Sequence, residues 1–187
     1  MQLLWGRILA GEIKQPKSYS LRTIETLKNI SKQEAELFVR FSQLRLVGNN
    51  NNFVYNPEDG VFLEKEFNIN FKDRLLLSEL GLIASESNIS FGFEPVNQPN
   101  VINMITYGNI GVFLRRNVGT PAQGIEVLTF TRIGLELSKL IQQESNEKYL
   151  TKICSGFKHP SVQIEYGNFV IYPDGRFHLL NGQIYTG

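Results

Sequence analysis

Val101-Ile102-Asn103-Met104-Ile105-Thr106-Tyr107-Gly108-Asn109-Ile110-Gly111-Val112-Phe113-Leu114-Arg115 is the stretch that decides the fold class. Both arms are rich in β-branched and aromatic residues, which suit a pleated, half-buried surface, and Gly108-Asn109 supplies a tight turn between them. A β-hairpin is predicted. Downstream, Thr120-Pro121-Ala122-Gln123-Gly124 predicts a second turn before a strand over Ile125–Phe130. The tail reads as a last hairpin, Val162–Tyr166 with Asn168–Tyr172, followed by a turn at Pro173-Asp174-Gly175 and a strand over Arg176–Leu180.

Upstream of the hairpin the apolar period changes to that of helices. Leu4, Trp5, Ile8 and Leu9 share a helical face that ends near Gly11. Ser20 can cap a helix through Leu21, Ile24, Leu27 and Ile30. Ser31-Lys32-Gln33-Glu34 has the form of a capping box, followed by the stripe Leu37, Phe38, Phe41 and Leu44. Gly48–Asn52, with its run of asparagines, is a loop or hairpin connection. Phe53-Val54-Tyr55 forms a short strand stopped by Asn56-Pro57-Glu58-Asp59-Gly60, and Glu64-Lys65-Glu66 reads as a solvated strand or turn. Phe71, Leu75, Leu76 and Leu80 mark a further helix closed by Gly81. Thr131 caps a helix with the face Ile133, Leu137, Leu140 and Ile141.

The fold class is therefore α+β, with N-terminal helices followed by β-hairpins and helices and a C-terminal β-hairpin. Residues 1–150 are expected to form a mixed helix and hairpin domain, with 151–187 as a C-terminal hairpin appendage packed on it. Phe38, Phe41, Leu76, Leu80, Ile133 and Leu137 are the expected core.

Composition narrows the functional classes. The chain has 187 residues, 42% hydrophobic and 20% charged, which is ordinary for a globular protein. Its lone cysteine, Cys154, excludes an internal disulfide, and a net charge of +1 gives no global argument for nucleic acid. Neither a signal peptide nor a membrane-length apolar run is visible, so a cytoplasmic location is expected.

Catalytic chemistry finds little support. Cys154 would need a base, and His159 and His178 are the histidines available. One cysteine and two histidines in no metal spacing do not suggest zinc. Glu34 and Glu36 lie two apart on a helix and do not face each other, while Glu64 and Glu66 flank Lys65 in solvent. Phosphate-cradling glycine motifs are missing. No cofactor, metal or catalytic residue is expected.

Basic residues offer one functional thread. Lys72 and Arg74 lie on the polar side of the Phe71–Leu80 helix, and Arg115 and Arg116 end a hairpin strand, so the four are candidate nucleic-acid contacts. An ordinary solvated helix face and a blunted strand edge explain them as well. Apolar surface offers another. Leu4, Trp5 and Ile8 need a cover, from the body of the protein, a second copy or upstream chain, which makes them candidate partner contacts. Tyr166, Phe169, Tyr172 and Phe177 suggest an adhesive β-surface in the tail.

Three stretches together carry a family resemblance: Leu4-Trp5-Gly6-Arg7-Ile8-Leu9-Ala10-Gly11-Glu12-Ile13, Pro16-Lys17-Ser18-Tyr19-Ser20-Leu21-Arg22-Thr23, and Leu27-Lys28-Asn29-Ile30-Ser31 with Glu34-Ala35-Glu36-Leu37-Phe38. The chain resembles a bacterial family called domain of unknown function 2806, most clearly over the N-terminal quarter. The resemblance transfers no activity. It implies that the Leu-Trp segment is internal, and that Met1 begins a C-terminal fragment of a larger protein. A second resemblance concerns layout. Helix, Glu79-Leu80-Gly81-Leu82-Ile83, hairpin, then Leu128-Thr129-Phe130-Thr131-Arg132-Ile133-Gly134 entering a helix is similar to winged-helix proteins, although Ala84–Asn100 is longer than their usual connection. The expectation is a non-catalytic binding module of a larger bacterial protein, acting through protein or nucleic-acid contacts. The alternative is an effector or hydrolase-like enzyme whose site assembles only in three dimensions or lies in upstream sequence.

Overall fold

The computed structural model describes residues 19–85, 89–172 and 176–187. The helix expected around Leu4, Trp5, Ile8 and Leu9, and the Pro173-Asp174-Gly175 turn, lie outside the described residues. Two capped helices lead. Ser20 accepts from the Thr23 backbone N–H and starts α1 (Leu21–Asn29). Ser31 and Glu34 satisfy each other's backbone donors in a capping box at the start of α2 (Lys32–Ser42). Phe38, Phe41 and Leu44 are buried as their spacing predicts. On α1 the buried face is rotated, so that Leu21 is exposed while Thr23 is buried. Glu136 explains the rotation, because its Oε2 accepts from the Thr23 hydroxyl at 2.6 Å and from the Ser20 backbone N–H at 2.9 Å.

Strands β1 (Leu46–Gly48) and β2 (Asn51–Tyr55) follow. The two-residue loop between them, Asn49-Asn50, has φ of 48° and 63°. Both residues are left-handed, as the favoured hairpin turn demands, and asparagine tolerates that region better than most residues. After a short 3₁₀ turn at Pro57–Gly60 come α3 (Val61–Phe67) and α4 (Phe71–Glu79), then β3 (Ser90–Phe93), β4 (Val101–Tyr107), β5 (Ile110–Arg116) and β6 (Gln123–Thr129). Helices α5 (Arg132–Ser138) and α6 (Glu147–Gly156) precede β7 (Val162–Ile171), β8 (Phe177–Leu179) and β9 (Gln183–Ile184). The described strands form one antiparallel sheet in the order β3-β6-β2-β1-β4-β5-β7-β8, with β9 also paired to β7. The α+β class is thus observed.

The deciding hairpin is β4–β5, paired from Val101↔Arg116 to Tyr107↔Ile110 across Gly108-Asn109. It does not stand out as a wing. β1 pairs with β4 and β7 pairs with β5, so the hairpin occupies the middle of the sheet. Alternation along β5 sends Val112 and Leu114 into the main core and Phe113 to the opposite face. There Phe177 stacks on Phe113 at 4.6 Å between ring centroids, and Phe169 meets it edge-on at 6.3 Å.

Helix α6 fills the main face. Asn146 caps it, and Tyr149, Ile153, Cys154 and Phe157 are fully buried. The Tyr149 hydroxyl accepts from the Tyr55 backbone N–H at 2.8 Å. This helix spans residue 150, and β7 beyond it pairs with β5 at every position from Ile110↔Asn168 to Arg116↔Val162.

Other expectations are corrected. Glu64-Lys65-Glu66 is helical, because left-handed Gly60 and Asn68 bound a turn that buries Leu63. Gly167 is not a turn but lies within continuous β7, where an added Cβ would sit 2.5 Å from the Asn181 carbonyl oxygen. On α4 the buried residue is Leu77, while Leu76 and Leu80 are half-buried and Phe71 and Leu75 are exposed. Leu137 is buried as expected, and Ile133 only partly.

Candidate functional site

Asn56-Pro57-Glu58-Asp59-Gly60 does more than end β2. Glu58, Asp59 and Gly60 are consecutively left-handed, with φ of 56°, 51° and 87°. Glycine enters that region freely, whereas other residues cost roughly 1–2 kcal/mol each. Side chains from two helices hold the turn. Lys152 of α6 pairs with the Glu58 carboxylate, and Arg74 of α4 donates from Nη2 to the Asp59 carbonyl at 3.1 Å. An added Cβ on Gly60 would lie 1.6 Å from Arg74 Nη1, so glycine is what lets the guanidinium seat here.

Beside this turn is a cleft of about 270 Å³, just below the roughly 300–1,000 Å³ of typical ligand sites. One wall is α4, through Phe71, Arg74, Leu75 and Ser78; the other is β6, through Glu126, Val127 and Leu128. Ile83, Ala84 and Ile89 add apolar lining beside Ser85, and Asn56 and Asp59 close the end. The β6 wall is held to the turn, because the Asn56 backbone N–H donates to the Glu126 carbonyl at 2.9 Å.

Asn56 is the telling residue. It is only 8% exposed, and its Oδ1 is buried without a hydrogen-bond partner. Among the described residues Ser42 Oγ and Arg45 Nε share that condition, but neither residue lines this cleft. A buried acceptor with no partner is costly and calls for a physical account. Burial, followed by the charges of Glu58 and Glu126, pushes the Tyr55 phenol above its ordinary range.

The sequence-predicted basic residues part company. Arg74 lines the cleft, and its guanidinium carbon lies 5.8 Å from the centroid of the Phe71 ring. Lys72 is exposed on the same helix, outside the lining. Arg115 donates from Nε to Glu165 at 3.1 Å on the neighbouring strand β7. Arg116 turns to the other face and is 3% exposed. It donates to Gln123 Oε1 at 3.1 Å, the Glu94 carbonyl at 2.9 Å, Asn103 Oδ1 at 3.3 Å and the Pro121 carbonyl at 2.8 Å. Desolvation lowers its pKa. Arg116 thus reaches the start of β6 through Gln123, but neither arginine lines the cleft. Leu4, Trp5 and Ile8 lie outside the described residues.

The residues weighed for catalysis do not converge on the cleft. Cys154 is buried, and burial pushes its thiol up to about 12. His159 Nδ1 accepts from the Ser161 backbone N–H at 3.2 Å, and His178 is exposed on β8. Among the described residues no group of three or more His, Cys, Asp or Glu side chains could hold a metal. No described helix is long and apolar enough to cross a membrane.

Fold and cleft together define an α+β domain with one wall of the cleft on a helix and the other on a strand of a broad antiparallel sheet. The model of the family described as Protein of unknown function (DUF2806) matches residues 1–154, and the chain belongs to that family. The match takes in every wall of the cleft and reaches well beyond the N-terminal quarter where the sequence resemblance is clearest. No curated protein and no solved structure matches the chain.

Proposed function

We propose that this domain is a non-catalytic binding module and that the α4–β6 cleft is its binding site. The observation that carries the reading is the concave pocket itself, walled by α4 and β6 and closed at one end by Asn56 and Asp59. The strained turn and the exposed Phe71 and Leu75 at the rim support it, since such costs persist where a bound group repays them. The cleft lining has carboxylates, one guanidinium, an amide and hydroxyls, with no histidine or cysteine among the described residues, which favours holding a ligand over reacting with it. Nucleic acid is the weaker candidate partner, because Arg116 is committed inside the fold and Arg115 to Glu165.

The test is a panel of small fragments followed by amide-resolved NMR. Fragments should perturb residues 56–59, 74–78 and 126–128 together, and Ser78→Phe, which fills the cleft, should abolish those shifts. Shifts scattered elsewhere, or unaltered by Ser78→Phe, would overturn the assignment.

A further inference from the structure

Strands β8 and β9 run along one edge of β7, and the register between them is broken. Leu179 faces Phe169 and Gln183 faces Tyr166, so four residue steps on one side match three on the other. The extra residue makes a β-bulge at Asn181-Gly182, opposite Gly167. The bulge is pressed onto β7: a Cβ on Gly167 would meet the Asn181 carbonyl oxygen at 2.5 Å and Gly182 Cα at 3.3 Å. On either side the hydrogen bonding is intact. The Leu180 backbone N–H donates to the Asn168 carbonyl at 2.8 Å, and that of Tyr185 to the Ile164 carbonyl at 2.9 Å. Between them the Gly182 backbone N–H has no partner among the described residues. Asn181 is exposed, and it is the one asparagine of the sequence that precedes a glycine.

We propose that Asn181 is a site of spontaneous deamidation to isoaspartate, and that this change uncouples β9 from β7. The Gly182 backbone nitrogen attacks Asn181 Cγ. A C–N bond forms and closes a succinimide, the Cγ–Nδ2 bond breaks, and Nδ2 leaves as ammonia with the proton from the Gly182 N–H. Water then opens the ring. Addition at Cγ gives aspartate. Addition at the main-chain carbonyl leaves a free α-carboxylate and routes the chain through Cβ and Cγ, which is isoaspartate. Nucleophile and electrophile are already held covalently close, so the barrier depends on how freely this backbone turns into line. A regular ladder would engage the nitrogen and fix the backbone; the bulge does neither, and glycine puts no Cβ against the closing ring. Isoaspartate adds one carbon to the main chain and a negative charge where the chain rests on Gly167. The span from Leu180 to Gln183 then no longer matches β7, and β9 loses its pairing with Glu165 and Tyr166.

The experiment incubates the full chain at mildly alkaline pH, beside an isolated peptide of residues 177–187, until the peptide has converted. Peptide mapping then locates the exchange of NH2 for OH, and isoaspartyl-specific methylation identifies the linkage. Isoaspartate should accumulate at residue 181 ahead of every other asparagine. Asn181→Gln, whose longer side chain closes a larger ring far more slowly, should form none there. The purified isoaspartyl chain is next compared with Asn181→Asp, which carries the charge on an ordinary backbone. Hydrogen exchange at the Tyr185 amide should be about tenfold faster in the isoaspartyl chain, as loss of one hydrogen bond implies, and unchanged in Asn181→Asp. An intact Asn181 in the folded chain after the peptide has converted would show that the fold protects it, and would overturn the site. Unchanged Tyr185 exchange in the isoaspartyl chain, or equal acceleration in Asn181→Asp, would overturn uncoupling by the lengthened backbone.

Discussion

Asn56 holds a carboxamide oxygen out of water with nothing to bond, at a cost of about 1–3 kcal/mol. Replacing it by leucine, which keeps the branched four-atom outline but is bulkier, removes the orphan and should stabilise the unliganded protein by about 1 kcal/mol. That corresponds to a rise of ~2–4 °C in Tm for a chain of this size. Thermal unfolding decides the matter, and a clear fall in Tm would show that the carboxamide supports the fold. Arg115 and Arg116 make the complementary case. Truncating Arg116 to alanine strands the Glu94 and Pro121 carbonyls and opens a void, for an expected loss of about 3 kcal/mol or more. Arg115→Ala breaks an ion pair whose arginine side chain is half exposed and should cost under about 1 kcal/mol. Chemical denaturation of the two variants should separate them cleanly. Adjacent residues on a strand face opposite ways, so a reading of the pair Arg115-Arg116 as one basic feature could not have held.

At the scale of elements, what was legible in the sequence depended on how local the determining chemistry is. Caps are local: Ser20, Ser31 with Glu34, and Thr131 all start helices where the sequence places them. Turns at Asn49-Asn50 and Gly108-Asn109 are local too, because positive φ at Asn49, Asn50 and Gly108 selects those residues. The buried face of α4 is not. Phe71, Leu75, Leu76, Leu77 and Leu80 surround much of the helix, so periodicity cannot choose a side, and packing buries Leu77. Leu77→Ala should therefore cost about 2–5 kcal/mol, whereas Leu75→Ala, at 49% exposure, should stay within about 1 kcal/mol by the same denaturation assay. Similar stabilities for the two would mean that α4 does not dock through Leu77. Gly167 misleads for a related reason. Its glycine serves close approach by the Asn181 backbone rather than a turn, and that neighbour arrives from fourteen residues downstream. Helix α6 had a readable signal in Asn146, Tyr149, Leu150, Ile153, Cys154 and Phe157, a cap followed by helical apolar spacing. The cleft had almost none, since Asn56 becomes significant only when β6 and α4 close over it.

Across the whole molecule, burial of weak acids predicts how stability responds to alkali. Cys154 moves from 9.0 to about 12 and Tyr107 from 10.0 to about 12, both chiefly through burial, and Tyr149 moves upward for the same reason. Raised values mean that the folded state keeps protons that the unfolded chain releases. Stability should accordingly be flat with respect to these groups below about pH 9 and fall progressively as pH rises towards 12. Each group contributes up to about 1.4 kcal/mol per pH unit between its unfolded and folded values. Cys154→Ala should make the first part of that decline shallower in urea midpoints measured across the range; an unchanged slope would rule the thiol out as a contributor. The second global property is the dependence of the sheet on its C-terminal strands, which lie beyond the residues matched by the family model. Without β7, strand β5 would present seven unpaired positions, and Phe113, now 2% exposed, would lose the Phe169 and Phe177 rings that cover it. An open strand edge beside a bare aromatic is a template for intermolecular pairing. A chain ending at Pro160 should therefore form oligomers or aggregate under conditions where the intact chain does not, as read by light scattering. Adding Phe113→Thr to the shortened chain should lessen the aggregation by removing the apolar part of the exposed surface, while the unpaired edge keeps the rest. A shortened chain that stays monodisperse with the far-UV spectrum and Tm of the intact protein would show that residues beyond 160 are an accessory packed on a self-sufficient sheet.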